Sequence, residues 1–277
     1  MDFSNAQIDR YARHLVLPEV GEEGQTKLLN ARVLVIGAGG LGSPLLLYLA
    51  AAGVGTLGVV DDDVVDLSNL QRQVVHDTSN VGKRKTKSAA RRLAEINPEV
   101  RVVPHDVRVT RETVAGLVRD YDLVADGSDN FPTRYLLNDA CYLAGKTLVS
   151  AAIMRFDGQL STFKAHARGP DEPEANPCYR CIFGEQPEDP KQSCADVGVL
   201  GALAGTLGAL QATEVIKELL GVGESLSGQL VLYDALAATF RKIKVKADAA
   251  CPLCGPQATI KDLNTVSYGE REPTCAA

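Results

Sequence analysis

Short apolar runs recur along the chain between longer segments of mixed polarity, and their spacing predicts strands that alternate with helices. Runs rich in Val, Leu and Ile without polar alternation are typical of strands covered on both faces of a sheet. Five such runs are predicted as strands: residues 32–36, 56–60, 100–104, 121–125 and 147–153. A sixth, residues 158–164, is predicted to begin an antiparallel part. The pattern predicts an α/β fold with a mostly parallel sheet, flanked by helices and continued by antiparallel strands.

The segments with helical periodicity cover residues 4–31, 41–52, 83–96, 131–144 and 197–220. Within the last of them, residues 197–213 carry no charge, which raises the question of a membrane span. This stretch contains four glycines with Thr206 and Gln211, and it is shorter than the about 20 residues that cross a bilayer. A buried helix, with close packing at Gly201 and Gly205, is therefore favoured over a membrane span.

A glycine-rich turn, Gly37-Ala-Gly39-Gly40-Leu-Gly42, directly follows the first predicted strand. Glycines permit positive φ and a close approach of the backbone to phosphate, and the N–H groups that open the next helix favour an anion. Asp61 ends the second strand nineteen residues past Gly42, where a carboxylate can accept hydrogen bonds from a ribose. This order predicts a Rossmann-like nucleotide site; the alternative is a tight turn that binds no ligand.

Polar side chains follow the second and fourth strands, at the edge where open α/β sheets bind ligands. After the second strand they form the stretch Ser68, Asn69, Leu70, Gln71 and Arg72. After the fourth strand, Asp129 is predicted to hold Mg²⁺ against phosphate oxygens, because hard cations prefer carboxylate and water. Its alternative role is the N-cap of the helix from Phe131, which Asn130 could also fill.

Two clusters of basic residues are candidates for contact with an anionic ligand. Four lie near the start of the helix predicted from residue 83: Lys83, Arg84, Lys85 and Lys87. A polyphosphate would account for Lys85, because cations oppose the helix dipole there, and the other three are expected on a solvated face. Three more share one face of the first helix: Arg10, Arg13 and His14. For these, the pattern alone favours a solvated face over an arm that contacts phosphate.

Four of the seven cysteines form two CxxC pairs, Cys178 with Cys181 and Cys251 with Cys254. Two such pairs can supply four thiolates for a tetrahedral zinc ion. A structural zinc that ties the C-terminal segment to the Pro-rich loop of residues 167–193 is predicted, in preference to a redox or iron–sulfur site.

The other three cysteines are single residues with different surroundings. Cys141 lies in a predicted helix and is expected to be buried, and Cys275 lies in the tail. Cys194 precedes a helix, where the thiolate is favoured and accessible. A covalent role and an inert surface thiol both remain open for Cys194.

Composition and charge narrow the class of partner. With 45% hydrophobic and 23% charged residues, the 277-residue chain is typical of globular proteins. Its net charge of −6 argues against nucleic acid or an anionic membrane as a partner. The N-terminal stretch has no apolar h-region, so the cytoplasm is the predicted location, where cysteines indicate metal or catalysis before disulfides.

Together these motifs resemble those of the MoeB/ThiF/HesA adenylyltransferases, bacterial relatives of the ubiquitin-activating enzymes. The motifs are GAGGLG, DDDVVDLSNLQRQ, VGKRK, DGSDN with Arg134 beyond it, and the two CxxC pairs with a single cysteine between them. The likeness runs from Arg10 to Cys254, and the combination is far more specific than any one motif.

The resemblance implies a homodimer that binds MgATP and activates the C-terminal Gly-Gly of a small ubiquitin-like sulfur carrier. The products would be an acyl adenylate and pyrophosphate, followed by a thiocarboxylate for molybdopterin, thiamin, thiolated tRNA or cysteine synthesis. The chain ends soon after Cys254, without a rhodanese domain, so an external sulfur donor is expected, either a cysteine desulfurase or a rhodanese.

The resemblance also implies roles for residues of this sequence. Gly39 and Gly40 would approach the phosphates, Asp61 would take the ribose, and Arg13 would reach the site across the dimer. Further residues would line the nucleotide site: Ser68, Asn69, Leu70, Gln71, Arg72, Lys85, Asp129 and Asn130. Cys194 matches a crossover-loop cysteine that some members use for a covalent carrier adduct and others do not need.

The chain is accordingly divided into an N-terminal helical arm (1–30), a nucleotide-binding half (31–165) and a zinc-binding, crossover-loop and carrier-docking half (166–277) of one unit. Arg13, Arg72 and Lys85, with Mg²⁺, would neutralise charge at the phosphates. The attacking carboxylate is already ionised and needs no general base, in agreement with the expectation that no histidine except His105 lies near the motifs.

Two other functions fit part of the sequence. An NAD-dependent oxidoreductase would explain the glycine turn and Asp61, but it leaves Arg72, Lys85, Asp129 and the cysteine pairs without a role. A non-catalytic scaffold that only docks a carrier would keep the fold. The presence of Arg13, Arg72, Lys85 and Asp129 argues against a scaffold.

Overall fold

A computed structural model of the chain describes residues 3–167, 176–186 and 198–269. In these residues the helices are α1 (Asn5–Leu15), α2 (Gly21–Asn30), α3 (Gly42–Ala51), α4 (Lys85–Ile96), α5 (Arg111–Arg119), α6 (Phe131–Ala144), α7 (Tyr179–Phe183) and α8 (Gly201–Leu220). The strands are β1 (Arg32–Ile36), β2 (Thr56–Val60), β3 (Arg101–His105), β4 (Leu123–Asp126), β5 (Thr147–Met154), β6 (Asp157–Phe163), β7 (Gln229–Asp234) and β8 (Thr239–Lys244). Single 3-10 turns cover Leu67–Asn69, Thr78–Asn80 and Leu263–Thr265.

The eight strands form one sheet in the order β3-β2-β1-β4-β5-β6-β7-β8. The first five strands in this order are parallel, and β6, β7 and β8 extend the sheet in antiparallel pairs. The predicted fold class, a mostly parallel Rossmann-like sheet continued by an antiparallel part, is confirmed. The chain leaves β1 for β2 on one side and returns to β4 on the other, so a crevice opens at the carboxyl ends of these strands.

Helices cover both faces of the parallel strands, as the apolar runs predicted. In β1, Val33 and Val35 pack into a cluster with residues of α3 and α8. The alternate residues, Leu34 and Ile36, pack on the other face against residues of α5 and α6. Both sets are almost fully buried, which explains why β1 shows no polar alternation.

The pattern misplaced the boundaries of two helical segments. Residues 4–31 form two helices, because the chain turns at residues 16–20, around Pro18. The basic helix begins at Lys85 and not at Lys83. The residues before it pair with the loop after β2 instead: Val65 donates to the Lys83 carbonyl at 2.8 Å, and Arg84 forms a bridge with Val64.

Helix α8 packs closely against the glycine turn region through two glycines. A Cβ on Gly201 would overlap the carbonyl oxygen of Gln71, and one on Gly208 would overlap Pro44. Gly205, for which close packing was also predicted, has open space around it, so that part of the prediction is wrong. Among the described helices, none is sufficiently long and apolar to span a bilayer.

Candidate nucleotide site and cysteine cluster

A cavity of about 740 Å³ opens at the carboxyl ends of β1, β2 and β4, and its volume lies in the range of small-molecule sites. The β1–α3 turn, the residues after β2, the loop before α5 and the start of α6 all contribute to its wall. Seven residues that the sequence predicted for the site line this cavity: Gly39, Gly40, Asp61, Arg72, Lys85, Asp129 and Asn130.

The packing of the chain requires glycine at two positions of the turn. Gly37 has a φ of +87°, and its N–H donates to the Val60 carbonyl at 2.8 Å. A Cβ on Gly42 would overlap the carbonyl group of Gly37, because the start of α3 lies directly against the end of β1. A Cβ on Gly39 would meet only Gln73 Nε2, at 3.7 Å, which is an ordinary contact. The fold itself therefore does not require glycine at position 39.

Asp61 lies directly after β2 and faces the glycine turn. Its Oδ2 accepts a hydrogen bond from the Ala38 N–H at 2.9 Å, and its Oδ1 accepts one from the Asp63 N–H at 2.9 Å. Burial raises the pKa of the Asp61 carboxyl, and the nearby Lys85 ammonium partly opposes this rise. A ligand hydroxyl that donated to this carboxylate would stabilise its charged form.

His76 is a residue that the sequence analysis missed. Its ring is buried, with Nε2 2.9 Å from the Ala38 carbonyl oxygen and Nδ1 2.9 Å from Ser88 Oγ. A carbonyl oxygen can only accept, so Nε2 carries the proton and Nδ1 accepts from the Ser88 hydroxyl. Burial lowers the pKa of His76, which favours this neutral form. The expectation that only His105 lies near the motifs is wrong, since His76 supports the turn through Ala38. The sequence did contain a signal for His76, because it lies four residues after Arg72 and therefore close to the predicted site.

The cavity wall includes five cationic side chains among the described residues: Arg72, Lys85, Arg108, Arg111 and Arg134. Lys85 is largely buried, and its Nζ lies 3.0 Å from Asp63 Oδ2. Arg72 Nη1 donates to the Ser68 carbonyl at 3.1 Å. Arg134, on the first turn of α6, is 8% exposed and donates from Nη2 to the Ser128 carbonyl at 2.8 Å, while its buried Nε has no partner among the described residues. Buried cations are costly without anions, so this wall favours an anionic ligand.

The polar residues at the end of β4 and in the loop after it have separate roles. Asn130 caps α6, because its Oδ1 accepts from the Thr133 N–H at 3.0 Å, so the alternative cap role of Asp129 is not observed. Asp129 itself is exposed at the cavity, where a carboxylate can reach a bound cation. Asp126 is fully buried and accepts from the Ser128 N–H at 2.9 Å and from Ser150 Oγ at 2.8 Å, so it shapes this loop.

The remaining predicted site residues lie outside the cavity wall of this chain. Four belong to the 3-10 turn before Arg72 and its continuation: Ser68, Asn69, Leu70 and Gln71. Asp66 caps this turn and accepts from Ser68 Oγ at 2.6 Å. Arg13 is exposed on α1 and does not line the cavity of its own chain. Cys194 and Cys275 lie outside the described residues.

One part of the cavity wall was not predicted at all. It joins residues 107–112, before and at the start of α5, to Ser267, Tyr268 and Gly269 near the C-terminus. Arg111 Nη2 donates to the Val266 carbonyl at 2.7 Å, and its guanidinium lies 5.9 Å from the Tyr268 ring centre. The sequence separation between these segments leaves no local pattern from which the contact could be predicted.

The two CxxC pairs meet, as predicted, beside α7. Sγ of Cys178 lies 3.8 Å from that of Cys181 and 3.5 Å from that of Cys251, and the Cys181–Cys254 distance is 3.3 Å. All four sulfurs lie within 4.8 Å of one another. Four sulfurs at about 2.3 Å from a central zinc ion would be roughly 3.8 Å apart in a tetrahedron, so the donor set fits a closed four-coordinate site.

The thiols of the cluster are also linked electrostatically. Hydrogen bonding with the Cys178 thiol lowers the pKa of Cys181 to about 7, and it lowers the pKa of Cys251 as well. Hydrogen bonds to Cys181 and Cys251 raise the pKa of Cys178 itself. By contrast, Cys141 is buried in α6, and burial raises its pKa, as expected of an inert thiol.

Comparison with known proteins adds to this geometry. The ThiF family profile matches residues 11–253. The chain is 50% identical over 264 residues to the sulfur carrier protein adenylyltransferase of Thermus thermophilus, covering 95% of this chain and 96% of that protein. It is 50% identical over 265 residues to the SAMP-activating enzyme E1 of Haloferax volcanii, covering 95% and 94% of the two chains.

Two further matches concern a longer relative and a solved structure. The adenylyltransferase and sulfurtransferase MOCS3 of Bos taurus is 52% identical over 94% of this chain, which spans 56% of that protein. A crystal structure of E. coli MccB with MccA-N7isoASN matches 91% of this chain and 76% of that chain, with a TM-score of 0.77 at 23% identity, and supports the fold. The predicted enzyme class, an adenylyltransferase, is confirmed by the relatives, and the chain belongs to the ThiF family.

Proposed function

We propose that this adenylyltransferase binds MgATP in the cavity and transfers AMP to the C-terminal carboxylate of a small ubiquitin-like sulfur carrier. The observation that carries the proposal is that the glycine turn, Asp61, Arg72, Lys85 and Asp129 meet at one cavity. The names of the Thermus and Haloferax relatives, which refer to a sulfur carrier protein and to SAMP, support the same class of substrate.

The chemistry requires two anions to meet. The carrier carboxylate attacks the α-phosphorus of ATP, and the bond from this phosphorus to the bridging oxygen breaks, which releases pyrophosphate. Arg72 and Lys85 stabilise the charge that gathers on the phosphates. Asp129 would hold Mg²⁺, which when bound supplies further charge neutralisation at phosphate oxygens. The carboxylate is ionised at neutral pH, so no general base is needed.

The other residues of the site bind and orient the nucleotide. Gly39 and Gly40 allow the phosphates close to the turn, and Asp61 accepts from the ribose hydroxyls. The absence of a packing reason for glycine at position 39 supports this assignment. Ser68, Asn69, Leu70 and Gln71, which precede Arg72, and Asn130, which follows Asp129, complete the proposed site.

A homodimer would supply Arg13 of the second subunit as a further cation. Its exposure on α1, away from its own cavity wall, agrees with a role toward another chain. Zn²⁺ at the four cysteines would be structural, because all four positions of the tetrahedron are filled by protein ligands.

The carrier is proposed to end in Gly-Gly and to leave the enzyme as a thiocarboxylate, with sulfur from an external cysteine desulfurase or rhodanese. Cys194 is the candidate for a covalent carrier adduct. No direct contact with nucleic acid or membrane is proposed, in keeping with the net charge of −6.

The direct test is carrier-dependent exchange of labelled pyrophosphate into ATP. We expect exchange when the host's small Gly-Gly proteins are added one at a time, and none with a carrier that lacks the terminal glycine. Tight NADH binding without ATP binding would favour the oxidoreductase, and no exchange with any Gly-Gly carrier would favour the scaffold.

Asp129→Ala should abolish adenylation, with a loss of at least roughly 100-fold in exchange rate, because the metal ligand is removed. Asp120→Ala, which removes an exposed carboxylate at the end of α5, is the matched control and should exchange normally. Near-normal exchange by Asp129→Ala at ordinary Mg²⁺ concentration would refute the assignment.

Cys194→Ala should leave pyrophosphate exchange intact, because adenylation precedes any thiol chemistry. The effect on thiocarboxylate formation is measured separately, by the mass of the carrier after incubation with the sulfur donor. Loss of exchange in this variant would show that Cys194 belongs to the adenylation step.

A further inference from the structure

The cysteine cluster and the cavity are joined by a buried chain of contacts. Arg180 lies between Cys178 and Cys181, and its Nε and Nη2 donate to the two carboxylate oxygens of Asp139 at 2.8 and 2.7 Å. Asp139, on α6, is fully buried. Tyr268 completes the chain, since its hydroxyl donates to Asp139 Oδ2 at 2.8 Å.

The same tyrosine belongs to the segment that lines the cavity. Tyr268 is 6% exposed, and its neighbours Ser267 and Gly269 also line the cavity wall. Two further hydrogen bonds hold the backbone of this segment: Arg111 donates to the Val266 carbonyl, and Gln186 Nε2 donates to the Tyr268 carbonyl at 2.7 Å. Each bond comes from a different part of the chain.

The segment also begins at the cysteine cluster. Ile260, which is buried, packs with Cys178, Cys251 and Leu253, only a few residues before the 3-10 turn Leu263–Thr265. The cysteine cluster therefore fixes the start of this segment at Ile260, and the Arg180–Asp139 pair fixes the position of Tyr268. None of these residues is needed for the chemistry derived above.

We propose that Tyr268 is a positioning residue that holds residues 267–269 as a wall of the nucleotide cavity, and that the cysteine cluster acts on ATP binding through Arg180, Asp139 and this tyrosine. The identity of the ligand as ATP rests on the proposed function. The wall shields one side of the bound nucleotide and also fixes residues 107–112 through Arg111. A wall of this kind changes affinity for the nucleotide more than the rate of the chemical step.

Two variants separate the contribution of the Tyr268 hydroxyl from that of its aromatic ring. Tyr268→Phe removes the hydrogen bond to Asp139 and keeps the aromatic surface, and Tyr268→Ala removes both. The control is Tyr48→Phe, a change at a tyrosine that is exposed on α3. The dissociation constant of MgATP is measured by calorimetry, and the protection of residues 107–112 and 263–269 is measured by hydrogen exchange in the ligand-free protein.

We expect Tyr268→Ala to weaken MgATP binding about tenfold and Tyr268→Phe about threefold. The rate of pyrophosphate exchange at saturating ATP should stay close to that of the wild type, and Tyr268→Ala should lose protection in both segments.

Unchanged MgATP affinity in Tyr268→Ala overturns the proposal, as does a lost maximal rate with unchanged affinity. If the wild-type protein binds no ATP, the proposed function fails, and the wall is judged by hydrogen exchange alone. In that case, unchanged protection of residues 107–112 in Tyr268→Ala overturns it.

Discussion

One wall of the cavity comes from neighbouring strand ends, with the glycine turn after β1 and Asp61 to Asp63 after β2, whereas the wall around Tyr268 joins residues 107–112 to 267–269. The first wall is fixed mainly through backbone groups of the turn: the Gly37 N–H donates to the Val60 carbonyl, and the Ala38 N–H donates to the Asp61 carboxylate. The second is fixed by buried side chains, chiefly Asp139, Arg180 and Tyr268. Backbone contacts tolerate most side-chain changes. The two walls should therefore be destabilised by different kinds of substitution.

The largest effect on stability is expected on the side-chain wall, at Asp139. Asp139→Ala leaves the Arg180 guanidinium buried without its carboxylate and removes the acceptor for Tyr268. We expect the free energy of unfolding to fall by about 3–5 kcal/mol, measured by urea denaturation. Asp120→Ala breaks an exposed pair with Arg119 and should change it by less than about 0.5 kcal/mol.

A cost below about 1 kcal/mol for Asp139→Ala would mean that the Arg180 pair does not hold the C-terminal half in place. The side-chain wall would then be fixed mainly by the cysteine cluster. Treatment with a metal chelator, followed by hydrogen exchange at residues 263–269, would distinguish the two contributions.

In the wall formed by the glycine turn, substitution of a glycine should lower the free energy of unfolding only where the packing requires glycine. Gly42→Ala places a Cβ on the Gly37 carbonyl group, so we expect the free energy of unfolding to fall by about 3 kcal/mol. Gly39→Ala has room for its methyl group, so the free energy of unfolding should stay within about 1 kcal/mol of the wild type. Its MgATP affinity should nevertheless fall, because in the proposed site the methyl group would stand where a phosphate approaches. Equal stability of the two variants would contradict this division.

The same contrast explains what the sequence could predict. The glycine turn, Asp61 and the strands around them are local patterns, so their place at the strand ends follows from the order of the elements. Helix α6 was predicted from Phe131 to Ala144, as observed, because Asn130 can cap its first turn. The meeting of the two CxxC pairs was predicted although they are distant in sequence, because four thiolates can bind one metal ion only if the two pairs come together.

The contacts that could not be predicted all join distant segments. In the sequence, Tyr268 is a single aromatic residue in a polar C-terminal segment. Its hydroxyl donates to Asp139, which lies in a helix that is distant in sequence. The start of α4 was misplaced because Arg84 pairs with Val64, a contact that the helical pattern does not contain. His76 was missed because its role depends on two partners, Ala38 and Ser88, on opposite sides of the ring.

The smallest effect is expected from His76, whose ring supports the glycine turn. Its protonation should make the free energy of unfolding depend on pH. The folded state lowers the pKa of His76, chiefly by burial, so below pH of about 6.5 the unfolded chain binds a proton that the folded chain does not. The free energy of unfolding should therefore fall as the pH decreases from 7.5 to 5.5, by at most about 1.4 kcal/mol per pH unit from this residue.

His76→Gln should be less stable than the wild type at pH 7.5, and the gap should narrow as the pH falls toward 5.5, since glutamine does not titrate. The pKa values of His105 and His166 are also lowered by burial, but both residues remain in the variant, so the difference between the two proteins isolates His76. Lys85 and Asp77 act on the His76 ring in opposite directions and are likewise unchanged. A gap that stays constant with pH in urea denaturation would show that His76 is not held neutral behind the glycine turn.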